Sequence, residues 1–271
     1  MKGLNYVDIC FVVDTTGSMG SFIQVAQQQL LNAIATLSTD NNINLQVGLV
    51  EYRDHPPQDT SFVTRIYPLT DNLHKMQNHI RQLRADGGGD GAEAVYRGVE
   101  DACQQMRWRK HSCRFAILVG DAPPHGFAAW MQTNRGVKLG KGSDSWHDGC
   151  PSGLDVQLVT ATAEDKRVKV YSLSMVRDRL TNEAFNAIAT LTGGECVPAD
   201  NANIVITQIQ SILKNEFSNV IFDRQVLQTI QQFGQPDVTE IAQLLDSPRL
   251  PVAASIARLG KRGFLEEFVQ I

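Results

Sequence analysis

Asp14, Thr16 and Ser18 occupy alternate positions in the stretch Asp14-Thr15-Thr16-Gly17-Ser18-Met19, which places one carboxylate and two hydroxyls on a short loop. Three hard oxygen donors in that spacing suit Mg²⁺ or Mn²⁺ better than a soft, thiophilic metal. Two further carboxylates stand where a loop could present them. Asp90 lies in the run Asp86-Gly87-Gly88-Gly89-Asp90-Gly91, and Asp121 lies in Gly120-Asp121-Ala122-Pro123-Pro124-His125. His125 and His147 are lone histidines on loops and are expected as polar surface residues rather than zinc ligands.

These residues need strands and helices to bring them together. The apolar run Tyr6–Val13 ends at Asp14, and Phe22, Ile23, Ala26, Leu30, Ile34 and Leu37 then recur at helical spacing. Asp14 therefore sits at the carboxyl end of a strand, just before a helix, where open α/β sheets place their binding sites. Asn44–Tyr52 reads as a second strand. The turn Arg53-Asp54-His55-Pro56-Pro57 leads to an antiparallel third strand over Phe62–Tyr67, and Asp71 is the expected cap of the helix after it.

A helix marked by Val95, Val99, Ala102 and Met106 follows the glycine-rich run. Phe115–Val119 is a continuous apolar run, as in a strand buried on both faces. Residues from about 126 to 153 are weakly periodic and read as an inserted excursion over the strand ends, with Trp130 and Trp146 either stabilising it or facing a partner. Val168–Met175 and Cys196-Val197 are further strands. Ile204, Ile209, Ile212, Leu213 and Phe217 mark a closing helix. The alternation predicts an α/β fold: a doubly wound, mostly parallel sheet covered on both faces, over residues 1–220.

From about Phe222 the pattern changes to short helices. Three of them, followed by the strand-like Phe264–Val269, predict a winged helix-turn-helix-like unit over 222–271. Arg258, Lys261 and Arg262 could touch phosphate there. However, five Lys and Arg against six Asp and Glu leave that segment at −1, so contact with protein, or with the main domain, is at least as well supported as nucleic acid. The whole chain of 271 residues carries a net charge of −4, which gives no support to general nucleic-acid or membrane-surface binding. Five scattered cysteines with no CxxC pair fit a reducing compartment. With no signal peptide or membrane segment read at the start, a cytoplasmic location is expected.

Asp14-Thr15-Thr16-Gly17-Ser18 together with the later Gly120-Asp121 resembles the von Willebrand factor A (vWA) domain family over roughly residues 5–218. Tyr52-Arg53-Asp54-His55, Gly87–Gly91 and Gly120–Gly126 look most like its intracellular bacterial members. The resemblance implies a metal-ion-dependent adhesion site (MIDAS). Asp14, Thr16 and Ser18 would fill its first loop, with Thr16 in place of a serine, and Asp121 its third. The second-loop threonine falls on Gly89, followed by Asp90. This departure replaces a hydroxyl ligand with a carboxylate that could act through water, favouring the cation and weakening the pull on a partner's carboxylate. The metal set is thus Asp14, Thr16, Ser18, Asp90 and Asp121, holding Mg²⁺ or Mn²⁺.

The implied role is a metal-dependent adaptor for protein partners, one of which could offer an acidic side chain to the metal. Relatives of this kind commonly accompany AAA+ ATPases of the MoxR or chelatase type. Two alternatives belong to other classes. The loop is also similar to the aspartate loop of haloacid-dehalogenase-like phosphotransferases, but that chemistry needs an acid–base carboxylate where Thr16 stands, so no enzymatic activity is expected. A transcriptional regulator acting through the C-terminal unit is the other.

Overall fold

The computed structural model describes residues 3–40, 43–199, 201–266 and 268. Met1 and Lys2, the side chain of Leu37, and Val269 of the expected last strand lie outside the described residues. Six strands, β1 (Tyr6–Asp14), β2 (Asn44–Tyr52), β3 (Thr64–Thr70), β4 (Cys113–Gly120), β5 (Lys169–Ser174) and β6 (Cys196–Pro198), form one sheet in the order β3-β2-β1-β4-β5-β6. All pairs are parallel except β2 with β3. This is the expected doubly wound α/β sheet.

Strand period explains why β1 and β4 are apolar throughout. Val7, Ile9, Phe11 and Val13 of β1 join Phe115, Ile117 and Val119 of β4 in one core layer, while Cys10, Val12, Ala116 and Leu118 enter the opposite one. The first layer is closed by α1 (Gly20–Asp40), α2 (Leu73–Gln82) and α7 (Ala202–Phe233). The second is closed by α3 (Val95–Gln105), α4 (Phe127–Arg135), α5 (Val156–Asp165) and α6 (Arg179–Leu191). Asn72, not Asp71, caps α2, its side chain accepting from the Lys75 N–H at 2.9 Å. The edge strands each carry a proline: Pro68 lies where the β2–β3 register shifts, and Pro198 ends the three-residue β6.

The helix expected to close the larger unit and the one expected to open the smaller unit are a single element. α7 runs unbroken for 32 residues, about 48 Å at 1.5 Å per residue, so the boundary expected near 220–222 falls inside it. Phe217 and Val220 pack on the sheet, and Val226, Leu227 and Ile230 pack under α8 (Val238–Leu244) and α9 (Arg249–Lys261), where Leu4 joins them. After α9 the described residues Phe264–Glu266 bend and turn instead of extending, so they supply no wing strand. Gly263, in the left-handed region, turns the chain back so that Phe264 and Leu265 bury against the helices, and burial has replaced the ladder that the apolar alternation suggested.

Two of the three basic residues considered for phosphate, Arg258 and Arg262, are used in docking this unit. Arg258 donates to Asp223 Oδ1 at 2.6 Å from Nη2, and Arg262 Nη1 lies 3.6 Å from Asp223 Oδ2. Arg262 also donates to the carbonyls of Gly3, Leu4 and His111, which fastens the end of α9 to the start of the chain. Asp223 is fully buried, so its removal takes the hydrogen-bonded carboxylate from Arg258 and the nearby counter-charge from Arg262. Asp223→Ala is expected to lower stability by roughly 3 kcal/mol, measured by urea denaturation followed by circular dichroism.

Candidate metal centre

The sheet order reverses direction at β1, so the crevice between the carboxyl ends of β1 and β4 is the topological switch point. Asp14 ends β1 and Asp121 directly follows β4, on the two lips of that crevice. Both the Thr16 N–H and its hydroxyl donate to Asp14 Oδ1, at 2.8 and 2.6 Å. The Thr16 hydroxyl lies 3.5 Å from that of Ser18, and Ser18 donates to Asp121 Oδ1 at 3.0 Å. The structure thus joins Asp14, Thr16, Ser18 and Asp121 in one continuous polar chain.

Asp14 is fully buried, and its Oδ2 accepts no hydrogen bond. Burial, and then the neighbouring Asp121, push its carboxyl up to about 7 against the opposing hydrogen bonds from Thr16. Burial also raises Asp121. Two carboxylates and two hydroxyls around an orphaned anionic oxygen form the donor set of a hard divalent cation, and the residues present fit one.

Asp90 is turned elsewhere. Its Oδ1 accepts from the Ala92 N–H at 3.0 Å and its Oδ2 from the Ser145 N–H at 2.7 Å, so it ties the glycine-rich run to the excursion. The acid that borders Gly88 together with Thr16 is Glu93. A Cβ built on Gly88 (φ +79°) would lie 2.9 Å from Glu93 Oε1 and 3.2 Å from Thr16 Cβ. Only glycine leaves room for both side chains there. Burial, followed by Asp14, Asp54, Asp90 and Asp121, pushes the Glu93 carboxyl up to about 10. Sequence reasoning missed Glu93 because an acid beside a helix start reads as a favourable first-turn charge. The available signal was its setting between Ala92 and Ala94, two small residues that bury completely.

Four loops converge on this edge, and backbone bonds lock them. The Gly17 N–H donates to Gly87, Asp86 to Thr15, Ala94 to Arg53, and Glu93 to Pro123. Arg53 is buried beneath them and donates to Ser61 Oγ at 3.1 Å and the Arg84 carbonyl at 3.0 Å.

His125 is not a surface residue. It is buried, with Nε2 2.7 Å from Asp54 Oδ1 and Nδ1 2.8 Å from Asp144 Oδ1. Asp54, Asp90 and His125 offer atoms within 4.8 Å of one another, a spacing a metal could span. Both ring nitrogens, however, already face carboxylates. Burial alone would lower His125, but the hydrogen bonds and charges of Asp144 and Asp54 outweigh it and raise the ring to about 9. It is therefore an imidazolium clamp between β2 and the excursion. Trp146 stands edge-on to it at 4.8 Å, and Trp130 stacks on Phe127 at 5.8 Å, so both tryptophans serve the excursion's own packing.

Because the folded His125 titrates above its ordinary 6.5, the clamp's contribution is complete below about 6.5 and is lost as pH rises through about 9. The stability gap between the wild type and His125→Gln is therefore expected to narrow between pH 7 and 10, as read from thermal melts.

Among known proteins, the von Willebrand factor type A domain matches residues 8–212. An alpha-protein kinase, vwkA, of Dictyostelium discoideum is 28% identical over 149 residues, 55% of this chain and 22% of the kinase. A putative ariadne-like RING finger protein of Acanthamoeba polyphaga mimivirus is 28% identical over 204 residues, 74% of this chain and 19% of that protein. The chain thus spans about a fifth of the length of these curated relatives. The pilus adhesin SpaC of Lactobacillus rhamnosus GG superposes with a TM-score of 0.52 at 15% identity, covering 79% of this chain and 30% of the adhesin. A von Willebrand factor type A structure from Catenulispora acidiphila gives 0.51 at 13%, covering 78% of this chain and 42% of that one. At such identities the likeness shows the fold alone. The family match across most of the sheet, with its reversal at β1, establishes that the chain belongs to the von Willebrand factor type A domain family.

Proposed function

We propose that the chain is a divalent-metal-dependent protein-interaction module, with Asp14, Thr16, Ser18 and Asp121 holding Mg²⁺ or Mn²⁺. The observation that carries this reading is the unpartnered, fully buried Asp14 Oδ2 at the end of the hydrogen-bonded chain through Thr16 and Ser18 to Asp121. A bound ion would supply the positive charge that these carboxylates lack and a Lewis-acidic contact for a partner's oxygen. The chain's own residues keep the loops fixed and set the donor atoms. Family membership supports an interaction role, and the occurrence of the domain as a small part of larger proteins, a kinase and a RING finger protein among them, fits an adaptor.

The reading is non-enzymatic. A nucleophilic aspartate needs a proton-transferring carboxylate beside it, and here Thr16 stands in that place and spends its hydroxyl on Asp14 Oδ1. Five cysteines without a disulfide support an intracellular setting, and among the described residues no helix is long and apolar enough to cross a membrane.

Asp14→Ala and Asp121→Ala are each expected to abolish tight Mn²⁺ binding in isothermal titration while leaving the far-ultraviolet circular dichroism unchanged. Undiminished affinity in folded variants would end the assignment. Capture of protein partners by the wild type with Mg²⁺, lost with chelator and in Asp14→Ala, is the matching result for the interaction.

A further inference from the structure

Glu93 is the acid that the hydrogen-bond network leaves unexplained. It stands just ahead of α3, and its N–H donates to the Pro123 carbonyl at 2.9 Å within a parallel bridge to the Asp121 loop, so its backbone is fixed. The side chain is 4% exposed, and Oε2 accepts no hydrogen bond. An acid at a helix start usually caps the first amides, but α3 has Ala94 at its N-cap position and no side-chain cap bond. A buried carboxylate with neither a cap nor a counter-charge is strongly disfavoured as an ion. Its Oε1 and the Thr16 Cβ both border the Cβ position that Gly88 leaves empty, at 2.9 and 3.2 Å from it, and Asp14 and Asp121 are among the acids whose charge it feels. It therefore shares the crevice with two carboxylates and adds a second orphaned oxygen to that of Asp14.

We propose that Glu93 is a direct ligand of the divalent ion held by Asp14, Thr16, Ser18 and Asp121, and that as third carboxylate it closes the centre to a partner's acidic side chain. This rests on the metal-binding reading above. Two carboxylates neutralise a divalent cation, and the third makes the loaded centre an anion. A fourth carboxylate arriving from a partner would meet net negative charge beside the buried carboxylates of Asp14 and Glu93, where water screens it less than in bulk. Specificity then passes to a neutral oxygen or a basic group.

The test titrates Mn²⁺ into the full chain calorimetrically, for the wild type, Glu93→Gln and Glu93→Asp, with and without acetate as the carboxylate probe. Circular dichroism checks folding. Glu93→Gln should weaken Mn²⁺ at least about tenfold, as expected when a site loses a charged ligand. Glu93→Asp, which keeps the charge on a shorter arm, should fall between the two. Acetate should leave the wild-type Mn²⁺ affinity unchanged but tighten that of Glu93→Gln. A wild type that binds Mn²⁺ alongside equally tight Glu93 variants overturns the role of Glu93 and leaves the metal reading standing. Acetate tightening Mn²⁺ on the wild type overturns the exclusion of acids. A wild type that takes no Mn²⁺ overturns both readings together.

Discussion

Like charge gathered where water is largely shut out, with Asp14 and Glu93 buried and Asp121 half-buried, is the constraint around which this molecule is built. Asp14, Glu93 and Asp121 share the crevice between β1 and β4, and two of their oxygens have no hydrogen-bond partner. In the absence of a cation such a cluster keeps protons that exposed acids would release, which is why Asp14 and Glu93 both shift upward. Loops joined only by their own contacts would move apart to let water in. The surrounding structure prevents this through backbone bonds that cross from each loop to the next and through Arg53, buried where the glycine-rich run, the β2–β3 turn and the Asp14 loop meet.

The excursion between β4 and α5 belongs to the same arrangement. Asp144 accepts from the Gly126 N–H at 2.9 Å and stands 2.8 Å from His125, so it fixes both the start of α4 and the imidazolium. Asp90, oriented by Ser145 and Ala92, completes the tie from the other side. Asp90, read from the sequence as a metal ligand, has both oxygens engaged as a fastener, and a histidine read as a surface residue carries the charge that makes the fastening possible.

Strand–turn–helix patterning made Asp14, Thr16, Ser18 and Asp121 legible, because an apolar run that stops at a carboxylate fixes both the position and the exposure of that carboxylate. The sheet was legible for the same reason: Phe115–Val119 and Tyr6–Val13 could hardly be anything but central strands. Glu93 was not, since its burial depends on Gly88 and Pro123, residues whose proximity only the folded chain creates. The partnership of Asp54, His125 and Asp144 was hidden likewise, one member lying in a segment with no periodicity. At the other pole, helical spacing located α8 and α9. The change of composition near Phe222 suggested a break, yet the apolar stripe of α7 continues past it, from Phe217 and Val220 on the sheet to Val226 and Ile230 beneath the last helices.

The two edges of the sheet set a limit on how anything can be recruited. A strand donated by another chain needs an uninterrupted row of amide donors and carbonyl acceptors, and proline supplies no donor. Pro68 sits at the irregularity of β3, and Pro198 closes a β6 only three residues long. Each margin is thereby shortened as a template for a guest strand, which disfavours β-augmentation. Growth into a continuous intermolecular sheet is hindered at both sides by covalent structure, the pyrrolidine rings of Pro68 and Pro198.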